Sequence, residues 1–265
     1  NNATVGDPSN DAIRIDGNMA RVKVIGEGAN LGTTQAGRIE YALAGGRINT
    51  DFIDNSAGVD CSDNEVNIKI ALAAAKRAGK LTEAKRVSLL RDMTDDVAAL
   101  VLEDNRQQAL ALSIAECGGS AAIPSYVRLI ETLEQGGHLD RRTEGLADNE
   151  TLIRRGVDQR GLTRPELAIL LSSAKLVLQD AIENSPLVTD ASTQDVLLAA
   201  FPPAMQTKYA PFIKQHRLAG EIVATKLANR MVNRLGVIHP FELAEEEGAT
   251  LGQVAAAFMS AVRVF

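Results

Sequence analysis

The segment that decides the fold is residues 22–54, VKVIGEGANLGTTQAGRIEYALAGGRINTDFID. Its first residues, 22–25, mix apolar and charged side chains as half-buried strands do. The threonine pair at 33–34 can cap a helix that the glycine pair at 45–46 would end. We expect a further strand at residues 51–54. Strand, helix and strand in this order form a crossover unit, which predicts a parallel sheet.

The amino-acid composition of the chain changes after Glu65. A short alternating run at 12–15 (AIRI) predicts one more strand before that point, whereas Ala, Leu, Lys, Arg and Glu dominate after it. We expect helices at about residues 64–78, 81–115, 124–135, 163–183, 192–200 and 216–235, and from 249 onward. The clearest helix begins at Thr163, three residues before Glu166, which is the spacing of a capping box. The sequence thus predicts a small α/β part followed by a larger all-α part, mainly α overall.

Composition excludes several classes of function. Lys plus Arg is 28 and Asp plus Glu is 34, giving a net charge of −6, and only 3% of residues are aromatic. Nucleic-acid binders need a basic surface and stacking rings, so we expect no nucleic-acid partner. No stretch approaches the roughly 18 apolar residues of a membrane helix, so we expect no membrane partner. Two distant cysteines and three single histidines favour free thiols, a cytoplasmic location and no metal site.

Three glycines follow the strand predicted at residues 22–25. Gly26, Gly28 and Gly32 are spaced G-x-G-x-x-x-G, one residue longer than the dinucleotide fingerprint. We therefore favour a loop at the carboxyl end of a parallel strand over a phosphate cradle. Open α/β sheets bind their ligands at that end, so the loop is well placed to touch one.

A second polar cluster follows residue 54. Ser62 and Glu65 have the spacing of a capping box, which is one interpretation of the cluster. The other is that Asn55, Ser62 and free helix N–H groups bind an anionic or amide group. Farther along, Arg160 is interpreted as a surface or helix-end charge. The alternative is that residues 154–164, where Arg160 and Arg164 flank Gly161, form an interface or an anion-contacting loop. No Ser/His/Asp or Cys/His set has catalytic spacing, so we expect no catalytic residue in this chain.

The two clusters together resemble the glutamate dehydrogenase superfamily, in which EGAN-x-x-T-T is followed by N-A-G-G-V and a serine. The matching residues here are Glu27, Gly28, Ala29, Asn30, Thr33 and Thr34, followed by Asn55, Ser56, Ala57, Gly58, Val59, Ser62 and Glu65. The flanking sequences GLTRPELAILLSSAKL and EIVATKLANRMVNRLG are similar to those of the large bacterial NAD-specific glutamate dehydrogenases. The resemblance covers most of the chain.

This resemblance implies a fold and an activity. Residues 1–75 would be the C-terminal part of a Rossmann-like NAD-binding domain, and residues 76–265 a helical C-terminal domain that regulates or oligomerises. The full-length protein would be a homo-oligomer that converts L-glutamate to 2-oxoglutarate and ammonia, transferring a hydride to NAD.

The resemblance also implies site residues. Those matching cofactor-binding positions are Gly28, Ala29, Asn30 and Asn55. Ser62 matches a serine that contacts the distal carboxylate of glutamate. Residues 56–58 read Ser-Ala-Gly where the family has Ala-Gly-Gly, and Asp-Cys precedes the serine, so the sequence departs from the family pattern close to Ser62.

Two elements of the family are not matched in this sequence. They are the lysine and aspartate of the substrate domain and a true G-x-G-x-x-G. Together with a first residue that is Asn and a final run that reads as a continuing helix, this predicts a C-terminal fragment that is inactive alone. Two alternatives stay open: a stand-alone helical interaction or oligomerisation module, and another NAD-linked amino-acid dehydrogenase.

Overall fold

The computed structural model describes residues 9–28 and 32–264. It is mainly helical and contains a parallel two-stranded sheet, in which β1 (Val24–Ile25) pairs with β2 (Arg47–Ile48). Helix α1 (Gln35–Leu43) connects the two strands. Thr34 caps this helix by accepting a hydrogen bond from the Gly37 N–H, at 3.1 Å. The predicted crossover and its threonine cap are therefore confirmed.

The predicted positions of two strands are wrong. Residues 51–54 form a one-turn helix, α2 (Asp51–Asp54), in which Ile53 is buried. The second strand lies earlier, at Arg47–Ile48, directly after a turn in which Gly45 has φ +94°. A single apolar pair between two aspartates can bury Ile53 in either conformation, so the local pattern does not separate them. Residues 12–15 form turns and irregular backbone, and Ile13 is 80% exposed.

Twelve further helices follow in the described chain. They are α3 (Ser56–Arg77), α4 (Glu83–Asp92), α5 (Thr94–Cys117), α6 (Ile123–Gln135), α7 (Asn149–Val157), α8 (Arg164–Glu183), α9 (Gln194–Ala199), α10 (Pro203–Gln206), α11 (Ala210–Lys214), α12 (Ala219–Leu235), α13 (His239–Glu246) and α14 (Leu251–Val264). Short 3₁₀ turns lie at Gly17–Met19, Gly119–Ala122, Pro186–Thr189 and Ala191–Thr193.

The helix predictions succeed where an apolar face is long. The helices predicted at 124–135 and 163–183 are confirmed to within one residue as α6 and α8. The one predicted at 81–115 is two helices that join at the buried Met93. Helices α7, α10, α11 and α13 were not predicted, because they are short or polar; α7 buries only Leu152 among its own residues.

The chain divides into two compact units, each built from two separate segments. The first unit comprises Asn1–Asn55 and Leu112–Ser173, and the second comprises Ser56–Ala111 and Ala174–Phe265. The first unit holds the sheet, in which Ile48 is buried, and Tyr41 of α1 is buried as well. The second unit has α-helices and 3₁₀ turns as its described secondary structure, and α12 contributes several buried apolar residues to its core. The predicted division at residues 75/76 stays a prediction.

Within residues 9–28 and 32–264, no helix is long and apolar enough to cross a bilayer. Over the same ranges, no three His, Cys, Asp or Glu side chains converge to hold a metal ion. Cys61 and Cys117 are free and exposed.

Candidate functional site

The strand ends of the first unit open onto a cleft of about 870 Å³. Because the strands are parallel, Gly26 after β1 and Asn49 after β2 lie at the same edge of the sheet. The other walls come from Asp54, from the end of α5 and from residues 160–164. The cleft therefore lies where open α/β sheets bind ligands.

Asp54 joins the two strand ends. One carboxylate oxygen, Oδ2, accepts a hydrogen bond from the Glu27 backbone N–H at 3.0 Å. The other, Oδ1, accepts from Asn49 Nδ2 at 2.6 Å. With both oxygens occupied, Asp54 holds the backbone after β1 against the residue after β2.

Arg164, the first residue of α8, continues this network. Its Nε donates to Asn49 Oδ1. Its Nη1 donates to Ser113 Oγ at 3.0 Å and lies 3.5 Å from Glu116 Oε2. The guanidinium thus links the end of α5 to the polar residue after β2, so a residue 115 positions from Asn49 in the chain fixes the orientation of its amide.

Glu27 has its carboxylate committed to a buried arginine. Arg38 lies on α1, its side chain is 3% exposed, and Nη2 pairs with Glu27 Oε1. The same Nη2 lies 3.3 Å from Asp51 Oδ1. A buried guanidinium needs such carboxylate partners, because an uncompensated buried charge is costly. Glu27 therefore positions the loop, rather than serving as a free acid or base.

Gly28 lies within ordinary contact distance of Asn55, whereas a Cβ atom on Gly32 would crowd the Glu27 carboxylate. A Cβ atom on Gly28 would lie 3.4 Å from Asn55 Cβ, so the structure brings these two predicted cofactor residues together. A Cβ atom on Gly32 would lie 2.7 Å from Glu27 Oε2, which explains the third glycine of the unusual spacing. Ala29 and Asn30, the other predicted cofactor residues, lie outside the described residues.

Ser62 lies within a helix rather than at its start. The predicted capping box of Ser62 and Glu65 is wrong, because α3 already begins at Ser56. Ser62 is exposed, with Oγ 3.5 Å from the Gly58 carbonyl oxygen, and Glu65 pairs with Lys69 instead. Ser62 belongs to the second unit, whereas Gly28 and Asn55 belong to the first. Its substrate-binding role stays a prediction.

Positive charge on the cleft wall comes from three arginines. Arg164 is engaged as described above. Arg47 and Arg160 are exposed, and no side-chain partner is recorded for either among the described residues. Two available guanidinium groups beside a glycine-containing strand end suit a phosphate-bearing ligand. The sequence offered Arg160 and Arg164 as an anion-contacting alternative, but it gave no indication of Asn49, Asp54 or Arg38.

The start of α8 is held firmly beside Arg164. Glu166 is fully buried, and its Oε2 accepts from both the N–H and the hydroxyl of Thr163, each at 2.7 Å. Arg155 Nη1 donates to the same carboxylate at 2.7 and 2.9 Å. The predicted pairing of Thr163 with Glu166 is confirmed, with Arg155 as an additional partner.

The second unit contains a different kind of polar cluster, formed between helices. Lys226 Nζ donates to Asp104 Oδ2 at 2.6 Å. Burial raises the pKa of the Asp60 carboxyl, against the opposing effect of Lys226 and with a further increase from the nearby Asp104 carboxylate. Lys175 Nζ donates to Gln108 Oε1 at 2.8 Å, and burial lowers the pKa of this lysine to about 8.

Comparison with known proteins identifies the family. A model described as bacterial NAD-glutamate dehydrogenase, catalytic domain, matches residues 1–115, and one described as glutamate dehydrogenase, C-terminal, matches residues 159–265. This chain belongs to the bacterial NAD-glutamate dehydrogenase family. Both matched segments contribute to the cleft, since Asn49 and Asp54 lie in the first segment and Arg160 and Arg164 in the second. The resemblance predicted from the sequence motifs is confirmed.

Individual relatives agree with the family models. The chain is 44% identical over 263 residues to the NAD-specific glutamate dehydrogenase of Pseudomonas aeruginosa, an alignment that covers 99% of this chain. It is 44% identical over 259 residues to that of Halomonas elongata, covering 98% of this chain. The Mycobacterium tuberculosis protein of the same name is 42% identical over 252 residues, covering 94%. The chain spans 16% of the length of the first two relatives and 15% of the third.

Proposed function

We propose that the full-length protein is an NAD-dependent glutamate dehydrogenase, and that this chain supplies one wall of its dinucleotide site. The reaction is the oxidative deamination of L-glutamate to 2-oxoglutarate and ammonia. One observation carries the proposal: in a chain whose relatives are named NAD-specific glutamate dehydrogenases, the EGAN segment begins beside a cleft at the carboxyl edge of a parallel sheet.

The residues present suit a dinucleotide. The cleft has the volume typical of cofactor sites. Gly28 leaves the backbone open next to Asn55, so a planar group can approach both the backbone and the side-chain amide. Arg47 and Arg160 add positive charge for phosphates at the rim. We therefore interpret residues 1–75 as the end of a Rossmann-like domain.

Bound NAD would supply the hydride acceptor. In this chain, Asn55 would orient the nicotinamide end through its amide, and Gly28, Ala29 and Asn30 would lie along the dinucleotide. Ser62 would contact the distal carboxylate of glutamate.

The acidic residues at the strand ends have structural roles in this proposal. Asp54 accepts two hydrogen bonds and Glu27 pairs with Arg38, so both fix the loop. Proton transfer then falls to the lysine and aspartate that the family carries in its substrate domain. For that reason we expect the 265-residue chain to be inactive alone. The helical region, residues 76–265, is proposed to regulate or oligomerise the full-length protein.

The proposal is tested by following NADH absorbance during glutamate oxidation in the full-length protein and in this chain, side by side. We expect activity with NAD and L-glutamate in the full-length protein only. If the full-length protein is silent with glutamate but reduces NAD with another amino acid, the substrate assignment is wrong and a related dehydrogenase is the answer. Silence with every amino acid would favour an interaction or oligomerisation module.

A further inference from the structure

The strand-end loop, residues 26–28, is held by a continuous chain of polar contacts that ends in the C-terminal family segment. Reading outward from the loop, the Glu27 N–H donates to Asp54, Asn49 donates to Asp54, and Arg164 donates to Asn49. Each of these three donor atoms meets an acceptor. The Asn49 amide is fixed from both sides, because its NH₂ group and its oxygen are each engaged by a charged partner.

Arg164 forms a firm end to this series of hydrogen bonds because it also contacts residues other than Asn49. Its side chain is 19% exposed, and its fork also reaches Ser113 and Glu116 at the end of α5. Next to it, Pro165 accepts a hydrogen bond through its carbonyl oxygen from Gln35 Nε2, at 3.2 Å, so the start of α8 also contacts the helix that follows the loop. The planar guanidinium presents several donors in a fixed geometry. The ammonium group of a lysine, on its flexible stem, does not fix that geometry.

We propose that Arg164 is a positioning residue for the dinucleotide loop, acting through Asn49 and Asp54. This inference rests on the proposed function, since the loop is taken to face NAD. It assigns to the C-terminal family segment a role in forming the cofactor wall. Loss of Arg164 leaves the Asn49 amide held on one side only, so its hydrogen bond to Asp54 is less firmly fixed and the Glu27 backbone is held less firmly.

The test uses the full-length protein with Arg164→Met, Arg164→Lys and, as a matched control, Arg154→Met. Arg154 lies on α7 and forms a surface ion pair with Glu150, its side chain being 67% exposed. Two readouts are taken: the Kd of NADH by fluorescence titration, and hydrogen exchange of the peptide covering residues 24–35 without any cofactor. Loss of a charge-assisted hydrogen bond predicts about a tenfold weaker NADH affinity and faster exchange in Arg164→Met.

The other variants make the expectation specific. Arg164→Lys is expected to fall between the parent and Arg164→Met, and the control to match the parent. The KM for glutamate should change less than the KM for NAD. Because the two residues act in one series of hydrogen bonds, combining Arg164→Met with Asn49→Ala should weaken NADH binding no more than the stronger single variant does.

Several results would overturn the proposal. NADH affinity and loop exchange that stay at the parent level in Arg164→Met would do so, as would fully additive effects of the two substitutions or an equal rise in both KM values. If Arg164→Met does not fold, Asn49→Ala alone tests the chain, since it leaves the contacts of Arg164 with Ser113 and Glu116 in place. If the parent protein does not bind NADH, the proposed function fails, while the exchange measurement still decides whether Arg164 holds the loop.

Discussion

The two units use buried positive charge in opposite ways. In the first unit, Arg38 is buried between two carboxylates, those of Glu27 and Asp51. In the second, Lys175 is half-buried, and its hydrogen-bond partner among the described residues is a neutral amide oxygen, that of Gln108. The comparison teaches that burial alone does not show whether a charge stabilises the fold. A charge paired at close range holds the site in place, whereas the charge of Lys175, for which the Asp104 carboxylate only partly offsets burial, costs free energy and responds to pH.

The largest effect is expected from Arg38→Met. Removing the guanidinium leaves two carboxylates facing each other without compensation, which should cost about 3–5 kcal/mol of local stability. Hydrogen exchange of peptides from α1 in the full-length protein measures this loss. Arg91→Met, at an exposed position at the end of α4, is the control and should change exchange little. Parent-like protection in Arg38→Met would show that the paired charge is not needed.

Lys175→Met should act in the opposite direction and stabilise the second unit. A pKa lowered from 10.5 to about 8 means that keeping this lysine charged costs roughly 3 kcal/mol. The cost is complete below pH 8. Stability should rise between pH 8 and 10.5, because there the folded state releases the proton that the unfolded state still binds.

The advantage of Lys175→Met should therefore be clear at neutral pH and shrink above about pH 10. Exchange of α8 peptides at both pH values checks it, with the exposed Lys85→Met as the control. A constant difference across this range would mean that burial of the charge is not the cause. The raised pKa of Asp60 has the reverse sign, since the stability it contributes is lost as pH rises through its folded value.

Substituting one glycine in each unit by alanine would compare how tightly the two units are packed. A Cβ atom on Gly161 would lie 2.8 Å from backbone atoms of Gly119 in the first unit. Because backbone gives way poorly, Gly161→Ala should destabilise by about 1–3 kcal/mol. In the second unit, a Cβ atom on Gly252 would lie 3.0 Å from Ser185 Cβ. There the gain in helix propensity, about 1 kcal/mol, should offset the tight contact. Thermal unfolding of both variants distinguishes them, and equal losses would contradict the expectation.

The smallest expected difference concerns helix caps. Thr34 accepts from Gly37 N–H at 3.1 Å in the first unit, and Thr82 accepts from Lys85 N–H at 3.4 Å in the second. Thr34→Ala should cost about 1 kcal/mol and Thr82→Ala less, because the longer bond is weaker. Exchange of α1 and α4 peptides measures each loss, with Thr34→Ser and Thr82→Ser as controls that keep the hydroxyl. A larger loss at Thr82 would reverse the ranking.

The sequence predicted what local chemistry determines. The Thr34 cap, the turn at Gly45 and the pairing of Thr163 with Glu166 each depend on residues a few positions apart. The position of the second strand does not, because β2 is defined by its pairing with β1. Asn49 and Arg164 lie 115 positions apart, so no motif connects them. The family resemblance supplied the cofactor residues but not the side chains that hold their loop.

The discontinuous first unit has a consequence for synthesis of the protein. Its early segment ends at residue 55, yet its second segment runs to residue 173, so 173 − 55 = 118 residues must still be translated before the unit can be completed. At typical rates this takes roughly 6–24 s. During that interval the nascent chain carries Asn49 without Arg164, and Arg38 can already meet Glu27. The ion pair close in sequence can therefore form on the ribosome well before the long-range contact that completes the cleft.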